Sequence, residues 1–129
     1  MIEIEGEKNM TSKLIATVFF LPLKDRPKNF PRLKNFRGKF WHTGIIFNDE
    51  IYECFSNNIW SISGIEKLKK AEFKNAVLLP ANVDKKKLID ELKSGTDCAE
   101  YVARCIGLSV LKGRNKGEMF PEDIYNYLK

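Results

Sequence analysis

Histidine is nearly missing from this chain: there is one, His42, in 129 residues. Any step near neutral pH that needs an imidazole must use that residue. Cysteine is scarce too. Three cysteines without a Cys-x-x-Cys pair exclude a disulfide framework, point to a reducing compartment and leave at least one thiol free. No apolar run is long enough to span a bilayer, because the longest, residues 14–23, is interrupted by Thr17 and Pro22. That run also lacks the setting of a secretory signal, since residues 1–8 are acidic and no small-x-small site follows Leu23. The expected location is therefore cytoplasmic, with no membrane span. Repeats, low-complexity tracts and linkers are absent, so the expected organisation is a single domain over residues 1–129, residues 1–12 being an edge strand or a loose arm.

The apolar and charged fractions, 43% and 30%, are those of a globular domain with one hydrophobic core. The net charge of +5 is unevenly spread. Residues 24–39 hold Lys24, Arg26, Lys28, Arg32, Lys34, Arg37 and Lys39 against Asp25 alone, with Phe30 and Phe36 between them and Phe40 and Trp41 following. Bases could stack on such rings while the cations meet phosphates, so nucleic acid is one candidate partner. A solvated loop anchored by its aromatics is the plainer reading, and no recognition motif accompanies the charge.

Strand and helix signals alternate along the rest of the chain. Residues 13–23 read as a buried strand ended by Pro22. Residues 41–55 read as a hairpin. If Asn48-Asp49 is a two-residue turn, Phe47 lies opposite Glu50, Gly44 opposite Glu53 and His42 opposite Phe55. Glu53 then shares a face with His42 as a diagonal neighbour at roughly 7–8 Å, within side-chain reach. A three-residue turn would invert the faces. Residues 65–70 suggest a short helix, 76–80 a strand, and 84–93 a helix with Leu88, Ile89 and Leu92 as its stripe. Residues 120–128 suggest a helix that opens on Pro121.

Cys98 opens the most informative segment. Cys98, Tyr101, Val102, Cys105 and Ile106 recur at the spacing of one helical face. Asp97 suits the N-cap, Glu100 its capping-box partner and Gly107 the stop. A thiol in that first turn lies beside unpaired N–H groups and the positive end of the helix dipole, which favour thiolate. With His42 as proton acceptor, Cys98 is a candidate nucleophile. Two other readings stay open. Free cysteine usually acts as a small buried hydrophobe, the reading that suits Cys54 and Cys105. Zinc would accept Cys54, Cys98, Cys105 and His42 as ligand types, but their spacing lacks the short pairs of structural sites, so no metal and no cofactor is expected.

The segment Asp97-Cys98-Ala99-Glu100-Tyr101-Val102 resembles the nucleophile motif of NlpC-type papain-like cysteine peptidases. Histidine normally follows cysteine in that family, whereas His42 precedes Cys98 here. The order is similar to that of the circularly permuted branch, which includes the lecithin:retinol acyltransferase-like proteins. His42-Thr43-Gly44-Ile45-Ile46 resembles its His-small-Gly/Ala-aliphatic strand, Glu53 falls at the position of its third polar member, and Phe120-Pro121-Glu122-Asp123-Ile124 resembles its closing segment. The likeness covers residues 40–129. It implies an α+β, papain-like fold in which an antiparallel sheet or small barrel packs against the nucleophile helix. It also implies a cysteine-dependent amidase or peptidase with Cys98 as nucleophile, His42 as base and Glu53 as the residue that orients the imidazole, acting on a peptide or another amide or ester. A catalytically silent scaffold that binds through residues 24–39 is the alternative. A lipid acyltransferase would want a membrane anchor, which the sequence does not display.

Overall fold

The computed structural model describes residues 13–26, 39–56, 59–94, 97–108 and 119–129. Five strands, β1 (Lys13–Pro22), β2 (Phe40–Phe47), β3 (Glu50–Ser56), β4 (Ile59–Gly64) and β5 (Val77–Asp84), form one open sheet in the order β4-β3-β2-β1-β5. Every pairing in it is antiparallel. Among the described residues three α-helices follow, α1 (Lys85–Asp90), α2 (Cys98–Ile106) and α3 (Pro121–Leu128). The architecture is thus mixed α/β with an open antiparallel sheet, and the closed small barrel is not the form adopted.

The β2–β3 hairpin turns as its sequence dictates. Asn48 and Asp49 both take positive φ, 53° and 63°, the conformation a two-residue turn demands and these residue types tolerate. Phe47 pairs with Glu50, Ile46 with Ile51 and Ile45 with Tyr52. The expected strand over residues 76–80 runs further, to Asp84, with Pro80 opposite Thr17 inside it. Proline is tolerated there because β5 is an edge strand, where a missing N–H costs no ladder bond. The expected helix over 65–70 is a 3-10 segment, Ile65–Lys69, followed by a second, Ala71–Phe73. That over 84–93 divides into α1 and a 3-10 turn, Glu91–Ser94, and Asp84 caps α1 by accepting from the Lys86 N–H at 3.0 Å.

Period-two alternation gives the sheet two buried faces. Over the first, Val18, Phe20, Ile45, Tyr52 and Cys54 meet Tyr101, Val102 and Cys105 of α2 and Ile124 of α3. Over the second, Phe19, Leu21 and Ile51 meet Trp41 and Phe73, the latter from the 3-10 segments that cover this side. Gly44 lies on the second face opposite Phe19, and only glycine fits it: a Cβ there would stand 2.5 Å from the Phe19 ring and 2.8 Å from the Tyr52 carbonyl oxygen.

Residues 1–12, most of the basic stretch (27–38) and residues 109–118 lie outside the described residues. Among the described residues, no helix is long and apolar enough to cross a membrane.

Candidate active site

A β-bulge prepares the position of His42. Leu21 pairs with His42 and Pro22 with Phe40, so Trp41 is the extra residue between them. A bulge lets two successive side chains lean to one side of a strand. Trp41 and His42 do so, their rings stacked at 5.1 Å and 26°. Phe55 covers the imidazole at 5.0 Å and 5°, and Phe19 stands at 5.8 Å. His42 is 2% exposed.

Glu53 meets this ring as the hairpin register predicts. Its Oε1 lies 2.9 Å from His42 Nε2, and the residue is 0% exposed. Burial alone would raise the Glu53 pKa. The hydrogen bonds from His42 and Lys67 and the positive charge beside the carboxylate outweigh burial and hold the carboxyl below its usual range. An ionised carboxylate only accepts, so Nε2 donates, and Nδ1 is left without a proton when the ring is neutral. The other carboxylate oxygen, Oε2, accepts from Lys67 Nζ at 2.5 Å. Lys67 escaped the sequence reading because no spacing rule joins it to residue 53. It arrives through β4, which folds back on β3 and leads into the segment Ile65–Lys69.

Cys98 takes the predicted place at the head of α2. The Asp97 side chain accepts the Glu100 N–H at 2.8 Å, and Gly107 ends the helix at φ 78°. The capping box is half made, since the Glu100 carboxylate accepts from Arg104 Nη2 at 2.7 Å rather than turning back to the cap. Cys98 is half-buried, and the backbone N–H groups of Thr43 and Ala99 reach its sulfur. Thr43 is the residue after His42, so α2 brings the sulfur to β2 one position from the imidazole.

One expectation is corrected at this point. Burial, followed by the Asp97 carboxylate, pushes the Cys98 thiol up to about 12, against the pull of the two N–H donors. The group is therefore a neutral thiol at rest, not the thiolate that the helix terminus alone would favour, because desolvation of the anion exceeds what the dipole returns. The thiol and the imidazole also approach β2 from different faces. Thr43, opposite Phe20, shares the face of Ile45 and α2, while His42, opposite Leu21, lies on the Phe19 side. Among the described residues, no hydrogen bond joins the Cys98 sulfur to the imidazole. The β2–β3 ladder stops at Ile45–Tyr52 although both strands continue, and His42, Thr43 and Glu53 all lie in the unladdered part.

The remaining cysteines are core residues. Cys54 is 0% exposed on the α2 face, and Cys105 is 1% exposed and donates its thiol hydrogen to the Lys87 carbonyl at 3.5 Å. Burial pushes the Cys105 thiol up to about 12 as well. A cavity of about 260 Å³ lies at the far end of α2 from Cys98, lined by Asn82, Asp84, Lys87, Arg104 and Cys105 among others. Of the basic stretch, Lys24, Arg26 and Lys39 are exposed, and the Lys39 N–H donates to Glu122 Oε1 at 2.7 Å.

Compared with protein-family models, curated proteins and solved structures, the chain matches none.

Proposed function

We propose that the chain is a cysteine-dependent amidase or peptidase of the circularly permuted papain-like kind, with Cys98 as nucleophile, His42 as base and Glu53 as the residue that orients the base. One observation carries this reading: a buried His42–Glu53 hydrogen bond stands on the strand whose next N–H, that of Thr43, reaches the sulfur at the head of a helix. A buried carboxylate is costly, and one that fixes the tautomer of the chain's single imidazole suits a catalytic base.

A neutral resting thiol calls for general-base catalysis. His42 Nδ1 takes the thiol proton as the sulfur attacks the acyl carbon, and the new C–S bond leaves an oxyanion. The N–H donors at the helix head are suited to that charge. Collapse of the intermediate breaks the acyl C–N or C–O bond, and the imidazolium returns its proton to the leaving group. Water, deprotonated by His42, then cleaves the thioester and restores the thiol. Glu53 accepts the hydrogen bond from Nε2–H throughout and stabilises the imidazolium. Nδ1 must reach the sulfur through the unladdered gap between β2 and β3.

Alkylation tests this directly. Iodoacetamide should label Cys98 faster than Cys54 or Cys105, and His42→Ala should slow that labelling by about 10²-fold or more, the usual contribution of a positioned base. Equal, slow labelling of the three thiols, or labelling of Cys98 unaffected by His42→Ala, would remove the hydrolase.

A second reading draws on the neutral thiol and its separation from the imidazole. In it the scaffold is catalytically silent and binds nucleic acid through residues 24–39. Affinity would then fall steeply with salt and survive Cys98→Ala.

A further inference from the structure

We propose that Lys67 is a positioning residue whose ammonium balances the Glu53 carboxylate, so that His42 is kept as a neutral base with its proton on Nε2. This rests on His42 acting as the base of the site, and it adds a fourth member that the papain-like resemblance does not supply.

The geometry poses a problem that Lys67 solves. A fully buried carboxylate with an imidazole as its single partner draws a proton onto the ring, because two opposite charges in contact cost less than one bare anion in a poor dielectric. The ring would then be imidazolium, which donates from both nitrogens and cannot accept the thiol proton. Glu53 escapes this because its two oxygens have separate partners, Oε1 at 2.9 Å from His42 Nε2 and Oε2 at 2.5 Å from Lys67 Nζ. The ammonium supplies the positive charge, and the imidazole need only donate a neutral hydrogen bond. Lys67 is well placed to stay charged, its side chain being 19% exposed while that of Glu53 is 1% exposed.

The aromatic stack works in the same direction. Lys67 Nζ sits 5.7 Å from the centroid of Phe55, the ring that stacks on the imidazole at 5.0 Å. A cation already held beside that ring makes a second positive charge next to it less favourable. The groups facing the imidazole are Glu53 from β3, Lys67 from the 3-10 segment after β4, and the rings of Phe19, Trp41 and Phe55. The α2 side adds the neutral Cys98 thiol beyond the Thr43 N–H. Among these described groups Lys67 is the one fixed positive charge, so the protonation state of His42 should follow it.

Because the chain has one histidine, long-range ¹H–¹⁵N spectra of the full-length labelled protein report His42 alone. The wild type should give a neutral ring protonated on Nε2 at pH 7. Lys67→Met should raise the His42 titration midpoint by about one pH unit or more, the usual effect of removing a charge at this range, while Lys67→Arg should leave it near the wild-type value. An imidazolium in the wild type at pH 7 would overturn the proposal, and so would a folded Lys67→Met variant that titrates like the wild type. Should Lys67→Met not fold, the wild-type tautomer decides. None of these readouts depends on the reactivity of Cys98, so an inert thiol would refute the hydrolase without altering what is learned about Lys67.

Discussion

The two faces of the sheet are built from the same strands and bury different chemistry. Toward α2 and α3 the contacts are almost wholly apolar, with Phe20, Ile45 and Val102 each 0% exposed, and Tyr101 sends its one hydroxyl to the Leu88 carbonyl at 2.7 Å. Toward the 3-10 segments the sheet buries an imidazole, a carboxylate and the end of a lysine among four aromatic rings. The first face holds the fold by area removed from water, which is insensitive to pH. The second must satisfy charges inside an apolar surround, so its contribution depends on protonation. Cys98 belongs to the α2 side of the sheet and His42 to the other, with the unladdered part of β2 and β3 beside both.

The comparison is broken most severely at Glu53. Glu53→Gln keeps the shape of the side chain and removes its charge, leaving Lys67 without its counterion, and should cost about 3 kcal/mol near neutral pH. The sign with pH follows from the depressed carboxyl. A group held below its unfolded value contributes fully above that value, about 4.5, and loses its contribution as pH falls through the lower folded value. Urea unfolding from pH 7 downward should therefore show wild type and Glu53→Gln converging in acid. A difference constant with pH would mean that the second face is held by packing alone.

Gly44→Ala sharpens the comparison from the packing side. The added methyl would meet the Phe19 ring and the Tyr52 carbonyl oxygen, which should cost about 1–3 kcal/mol and press Phe19 toward His42. Its loss should not vary with pH, unlike that of Glu53→Gln. The smallest effect is expected at Asp97. Asp97→Asn keeps a capping oxygen on the Glu100 N–H, so stability should change by less than about 1 kcal/mol. It also removes the negative charge that opposes ionisation of Cys98, so iodoacetamide should label Cys98 faster at a given pH while labelling of Cys105 is unchanged.

Legibility in the sequence followed the range of the interactions. Asn48-Asp49 fixed the hairpin register, and with it the shared face of His42 and Glu53, because a two-residue turn admits one alignment. Asp97 and Gly107 marked the ends of α2 for equally local reasons. The extension of β5 through Pro80 was hidden, because a proline ends a central strand but is harmless on an edge, and edge position belongs to the whole sheet. The resting state of Cys98 was hidden for a related reason. The helix terminus can be read in sequence, whereas the burial that reverses its effect comes from contact with β2.

The residues themselves determined that a single imidazole exists, that a carboxylate two positions from its cross-strand partner could hold it, and that a cysteine would head a capped helix. Tertiary structure decided the face each would occupy, the ammonium that completes the buried pair, and the neutrality of the thiol. The division has a physical cause: turns, caps and alternation are set by neighbours along the chain, while desolvation and charge balance depend on everything that packs around a group.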